Sequence, residues 1–207
     1  MTPRLTLAAT LALIATTASA RLIDSKPNGF TIENVVTAPV APDAAWTALV
    51  DHVDEWWPKG HSWFGKDGTF RIEPRAGGCF CETSGKREAM HMTVSFADPG
   101  HLLRMLGGLG PLQGMGLTGT MEWKLEAIDG GTRITLHYVA GGYTTEDLVK
   151  FAPIVDQVQG QQLGESFQRR NGSGGVEEHE MFLMRLKPRI EFDVHAVQRD
   201  EAARRRR

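Results

Sequence analysis

Leu117-Thr118-Gly119-Thr120-Met121-Glu122-Trp123-Lys124-Leu125-Glu126-Ala127-Ile128, turned back by Asp129-Gly130-Gly131 into Thr132 to Ala140, is the stretch on which the fold depends. Leu117, Gly119, Met121, Trp123 and Leu125 alternate with Thr118, Thr120, Glu122, Lys124 and Glu126, a period of two that sends the first set to one face of a strand. Ile134, Leu136 and Tyr138 repeat the pattern against Arg133, Thr135 and His137 after the turn. Two such runs joined by Asp-Gly-Gly read as an antiparallel hairpin with one face in the core and one in water.

Upstream, further strands follow in quick succession. Phe70 to Pro74, Gly78 to Thr83, Glu88 to Ala97 and Leu102 to Leu106 are separated by turn residues such as Asp98-Pro99-Gly100, and no helix intervenes. That spacing predicts an antiparallel meander in place of a doubly wound sheet. In the 88–97 strand Met90, Met92, Val94 and Phe96 are expected on one face, with His91, Thr93 and Ser95 on the other. An earlier strand, Gly29 to Thr37, alternates Phe30, Ile32 and Val36 with Thr31 and Glu33, and Pro39 and Pro42 end it. Pro42-Asp43 opens a helix whose Trp46, Leu49, Val50 and Val53 fall at i, i+3, i+4 and i+7, one apolar stripe. Pro58 closes this segment after Trp56-Trp57, and Lys59 to Gly68 is a loop carrying His61, Trp63 and Phe64.

Downstream, Thr144 and Asp147 form a candidate capping box. Pro153 places the start of a long helix near Ala152, because proline is tolerated in the first turn. Ile154, Val155, Val158, Leu163 and Phe167 supply its apolar side, and Gly160 and Gly164 permit close packing on the sheet. The cysteines, Cys79 and Cys81, stand two apart in a strand. Residues i and i+2 of a regular strand lie roughly 7 Å apart, which argues against an intramolecular bridge.

The termini read differently. Met1 to Arg4 is a short basic start, Leu5 to Thr17 is apolar, and Ala18-Ser19-Ala20 is a small-residue cleavage site, so residues 1–20 are expected to be a secretory signal peptide. The apolar run is shorter than the roughly 20 residues that span a bilayer. A periplasmic or secreted location follows, with no membrane span after cleavage. Asn171 to Gly175 reads as a linker, and 171–207 as a poorly packed tail in which Ile190, Phe192, Val194 and Ala196 alternate before Arg204 to Arg207. Acidic groups number 25 and basic ones 23, a balance that does not point to nucleic acid.

Trp46, Trp56-Trp57-Pro58, Gly77-Gly78-Cys79-Phe80-Cys81-Glu82, Val94 to Gly100, Gly131 to Leu136 and Val155-Asp156-Gln157-Val158 together resemble the SRPBCC superfamily. Within it the likeness is to polyketide-cyclase-like and AHSA-type (chaperone ATPase activator homologue) proteins. The resemblance covers about residues 29–170. It implies an α+β, START-like helix-grip domain: a curved seven-stranded antiparallel sheet around a long C-terminal helix, with a hydrophobic cavity between them. An exported protein would not meet a cytosolic chaperone, so that activity is not carried over.

Candidate sites follow from chemistry. Trp56, Trp57, Trp63 and Phe64, with Phe80, Met92, Trp123 and Tyr138, are candidate ligand-binding residues, since aromatic faces suit flat apolar molecules; core and lid packing is the plainer reading. His52, His61 and Glu82 are candidate proton handlers, with surface solvation the alternative for the histidines and a backbone or Arg75 partner for Glu82. Cys79, Cys81 and His91, beside Glu82, have the donor types for zinc or copper, although their spacing matches no closed site. The cysteines read equally as small buried apolar groups or an intermolecular disulfide. Gly114 to Gly119 matches a dinucleotide pattern but leads into a strand, and is rejected. No cofactor is expected. The reading that results is an exported binder of a small hydrophobic molecule. A cyclase- or hydratase-like enzyme using the same cavity, and a protein-interaction module, are the alternatives.

Overall fold

A computed structural model describes residues 19–168. Eight antiparallel strands make one curved sheet: β1 (Ser19–Lys26), β2 (Gly29–Ala38), β3 (Thr69–Ile72), β4 (Cys79–Ser84), β5 (Arg87–Asp98), β6 (Leu102–Leu106), β7 (Leu117–Ile128) and β8 (Gly131–Gly142). Their order is β1-β2-β8-β7-β6-β5-β4-β3. Strands β3 to β8 are a simple meander. Helices α1 (Pro42–Val50) and α2 (Val53–Trp56) carry the chain from β2 to the far edge, and α3 (Leu148–Gln168) follows β8. This is the expected helix-grip architecture, with eight strands where seven were anticipated. The extra one, β1, was hidden by its own irregularity. A bulge between Leu22 and Asp24 breaks its period, and Ile23 faces water.

The quoted hairpin behaves as its alternation requires. Leu117, Met121, Trp123 and Leu125 of β7 and Ile134, Leu136 and Tyr138 of β8 are buried on the inner face, with Trp123 opposite Leu136 and Met121 opposite Tyr138. Gly130 takes φ 79° in the turn, a conformation that glycine adopts without steric cost. Trp46, Leu49, Val50 and Val53 are buried as one stripe, although the single helix expected there is interrupted at Asp51 and His52.

Helix α3 begins at Leu148, four residues before the predicted start. Its cap is Asp147, whose carboxylate accepts the Lys150 N–H at 3.3 Å, while Thr144 Oγ1 accepts the nearby Glu146 N–H. Pro153 is therefore inside the helix. The carbonyl of Val149 that it leaves unpaired belongs to an exposed residue, where water can reach it. Leu148, Ala152, Val155, Gln159, Gln162 and Leu163 form the buried face, with Ile154 and Val158 only half-buried. This face lies against β1 and β2. Asn34 Nδ2 donates to Asp156 at 3.3 Å, and Ser25 Oγ donates to the Leu148 carbonyl at 3.4 Å.

Two predictions for β4 and β5 fail for one physical reason. A register shift lets Phe80 pair with Met92 while Cys81 pairs with Met90, so His91 is the extra residue of a bulge. Its side chain is buried beside that of Met92, and Met90 is left 55% exposed. A second shift between Val94 and Phe96 turns Phe96 outward, where the Arg104 guanidinium sits 5.5 Å from its ring centre. Slips of one residue reverse the facing of a side chain. The Cys79–Cys81 bridge is also formed, against expectation. The Cα atoms are 5.4 Å apart, closer than in a regular strand and within disulfide reach.

Residues 1–18, and with them most of the predicted signal peptide, lie outside the described residues, as does the tail from 169 onward. Among the described residues no helix is long and apolar enough to cross a membrane.

Candidate functional site

The inner face carries polar groups at two places where apolar ones would suffice. The first is centred on Glu82, fully buried on β4 between Phe70 of β3 and Ala89 of β5. Its carboxylate fastens the Lys59 to Gly68 loop. Oε1 accepts the Ser62 hydroxyl and the Phe64 N–H (3.0 Å), and Oε2 accepts the Trp63 N–H (3.1 Å). Space next to it is so limited that a Cβ on Gly68 would collide with Glu82 Oε1 and Ser62 Oγ. Asp54 ties the same loop from the other side, accepting from Lys59 Nζ (2.6 Å) and from the Phe70 N–H (2.8 Å).

His91 completes this centre. Its Nε2 lies 3.1 Å from Glu82 Oε2, and its ring is stacked on Phe70 (5.6 Å, 25°) and tilted against Phe80 (5.2 Å). Burial pushes the imidazole pKa below its ordinary 6.5, and the hydrogen bond and charge of Glu82 only partly oppose this. The ring is therefore neutral at pH 7. A carboxylate oxygen can only accept here, so Nε2 carries the proton and Nδ1 is a bare lone pair. That Nδ1 is buried and has no hydrogen-bond partner.

The second place is a row across the sheet. Leu103, Trp123, Leu136 and Asn34 stand side by side on β6, β7, β8 and β2. Trp123 Nε1 and Asn34 Oδ1 are buried without partners, separated by two strand spacings or roughly 10 Å. Gln162 of α3 adds a third orphan, Oε1, while its Nε2 donates to His61 Nδ1 at 3.2 Å. Asn34 leaves a sign in the sequence, a polar residue at an inward position between Ile32 and Val36. Gln162 and Ser62 gave no comparable sign.

The predicted aromatic set is largely brought together. Trp56, Trp57, Phe80, Met92, Trp123 and Tyr138 are all buried on the inner side. Ring centres are 5.6 Å apart for Trp56–Trp57, 5.9 Å for Trp56–Trp123 and 5.0 Å for Trp57–Phe80. Tyr138 is pinned differently: its hydroxyl accepts the Leu109 N–H and donates to the Gly107 carbonyl, both at 3.1 Å, and burial raises its pKa to about 12. Trp63 and Phe64 are half-buried on the loop, with the Arg87 guanidinium 4.7 Å from the Phe64 ring centre.

Other candidates separate from this group. His52 pairs with Glu55 at 2.7 Å near the surface. Cys79 and Cys81 spend their sulfurs on each other and, by strand alternation, face away from Phe80 and Glu82, so they cannot join His91 around a metal. Arg75 pairs with Glu73 at 3.0 Å, and Glu82 takes the backbone partners instead. A recess of about 580 Å³ shares none of these residues, being lined by Pro42, His101, Leu102 and ion-paired residues of β6 and β7. Its charges are already matched, Arg104 with Glu122 at 2.5 Å and Lys124 with Glu126 at 2.9 Å, so it offers no unmet chemistry.

The His91 environment sets a pH dependence. Below the ordinary imidazole pKa the unfolded chain binds a proton that the folded state refuses, so stability falls as pH drops from about 6.5 and levels off below the depressed folded value. One such group contributes a slope of at most about 1.4 kcal/mol per pH unit. Denaturant titrations of wild type and His91→Phe between pH 7.5 and 5 should show this slope in the first and its loss in the second.

No family model matches the chain, and neither does any curated protein. Solved structures do. CalU16 from Micromonospora echinospora is similar with a TM-score of 0.53 at 16% identity, over 83% of this chain and 93% of that one. Protein MLL2253 from Mesorhizobium loti gives 0.50 at 16% identity, over 70% and 98%. Ara h 8.0201 gives 0.48 at 20% identity, over 66% and 94%. At these identities the first two establish a shared fold and nothing finer.

Proposed function

We propose that this domain binds a small, mainly apolar molecule bearing hydroxyl groups, held between the sheet and α3. The observation that carries this reading is the set of buried polar atoms without partners on the Asn34–Trp123 row and on α3: Asn34 Oδ1, Gln162 Oε1 and Trp123 Nε1. Each orphan costs about 1–3 kcal/mol while nothing meets it, so each calls for a partner. Two of the three are acceptors, so the complementary ligand carries O–H or N–H donors on a flat frame that suits the Trp rings. The rings are in mutual contact, and admission therefore requires the Trp57 to Gly68 segment to part from β4. We further propose that the protein works in the periplasm or outside the cell. The signal-like residues 1–20 support this, and so does the Cys79–Cys81 disulfide, which persists in an oxidising compartment.

Native mass spectrometry of protein from its own host, with tryptophan fluorescence titrations of hydroxylated aromatic compounds, tests the binding reading. A retained mass, or a saturable change in emission, is expected; neither appearing would end the proposal. Gln162→Met removes one unmet acceptor at nearly constant volume. It also removes the Nε2 donor to His61 Nδ1; the two effects oppose each other, so the ligand-free protein should change in stability by less than about 1 kcal/mol, while a hydroxylated ligand should bind at least tenfold more weakly in the same titration.

A further inference from the structure

We propose that Glu82 and His91 form a proton-transfer pair, in which His91 Nδ1 is a general base toward a small, flat aromatic or enolisable C–H acid. The inference rests on the interior being a binding space and goes beyond it by assigning chemistry there. Three features distinguish the pair from a routine buried contact. Glu82 fixes the imidazole through Nε2, at 3.1 Å, and so holds the tautomer with its lone pair on Nδ1. That Nδ1 is unpartnered in a residue only 2% exposed. The bulge that creates the site places His91 next to Met92, on the inner face, and against two phenyl rings that make the surroundings of the imidazole apolar.

The loop that must open for entry is bound to the same carboxylate through Ser62, Trp63 and Phe64. Access and base positioning are thus coupled. Burial keeps the base unprotonated at neutral pH, and the charged groups around the Phe70–His91 stack are Glu82 on β4 and the Lys59–Asp54 pair that reaches the Phe70 ring and backbone. In the step itself the Nδ1 lone pair takes the substrate proton, the C–H electron pair moves onto the substrate's electronegative atom, and the imidazolium so formed keeps its Nε2–H bond to Glu82. Return of the proton to a different atom gives a net isomerisation with no co-reactant. His91 is the catalytic residue in this scheme. Glu82 is a positioning residue.

The probe is 5-nitrobenzisoxazole, whose C3 proton is removed by a base as its N–O bond breaks, releasing a coloured cyanonitrophenolate. Purified wild-type protein should accelerate this elimination about 100-fold or more over His91→Phe, with a rate that rises with pH to a plateau whose midpoint lies below 6.5. Glu82→Gln should shift that midpoint, which a purely structural role for Glu82 would not do. On the unmutated protein, 15N NMR of the imidazole should show Nε2 protonated and Nδ1 bare at pH 7, with the Nδ1 resonance moving as the probe is added. Probe binding seen by tryptophan quenching, with turnover no faster than in His91→Phe, overturns the base and leaves the binding reading intact. Absence of both binding and turnover overturns the base as stated, while the retained-mass measurement decides the binding reading separately. A protonated Nδ1 at pH 7 also overturns it.

Discussion

Replacing Glu82 with leucine should remove about 4 kcal/mol or more of stability. Four donors, the Ser62 hydroxyl, the Trp63 and Phe64 amides and the His91 ring, converge on this one carboxylate. The substitution strips all of them at once around a carboxylate that water does not reach. At about 1–3 kcal/mol for each donor left unmet, the sum approaches the whole margin of a typical domain. Part of the loop can relax into solvent, which is why the lower end is the expected value. Glu82→Gln, which retains an accepting oxygen, should cost well under half as much. Chemical denaturation of both variants checks the prediction, and equal losses for the two would show that the carboxylate is not the anchor inferred from these distances.

The second large effect is expected at Trp57. Its ring lies 5.4 Å from that of Phe70, 5.0 Å from Phe80 and 5.6 Å from Trp56, and its Nε1 donates to the His61 carbonyl at 3.3 Å. Truncation to alanine leaves a cavity that the sheet cannot close, and should cost about 3–5 kcal/mol. The side chain sits where the loop meets the core, so the same change should speed entry of small aromatic molecules. Thermal melting reads the first effect, and the association phase of a fluorescence titration reads the second. A loss below about 1 kcal/mol would mean that the ring is not packed as described.

Much of the architecture was legible in the sequence because alternation and helical periodicity are local. The β7–β8 hairpin and the Trp46–Val53 stripe needed no knowledge of distant contacts. The candidate site was legible only in part, since its defining event is a single-residue slip. Nothing in Met90-His91-Met92 announces that His91 is the extra residue of a bulge, and reading through it with strict period two sends the histidine outward and Met90 inward. Chemistry alone groups Glu82 and His91 with the two cysteines as donors, but the slip that joins the first two to each other and apart from the sulfurs leaves no mark in the sequence. Contraction of β4, which brings Cys79 and Cys81 within bonding range, was likewise invisible to a regular strand geometry. Glu82 itself was singled out, but its partners in the Ser62 to Phe64 turn depend on how the loop folds back across some twenty residues of chain.

Strand β1 starts at Ser19, and its first two residues are already paired, Ser19 with Val35 and Ala20 with Asn34. If a leader ends after Ala20, as the sequence pattern suggests, the scissile bond belongs to a backbone engaged in a ladder, a form that a peptidase cleft cannot thread. Trimming then has to precede zippering of the sheet edge. On that reading, maturation would be a race between a protease and a hairpin, and a chain that lost the race would keep its greasy leader.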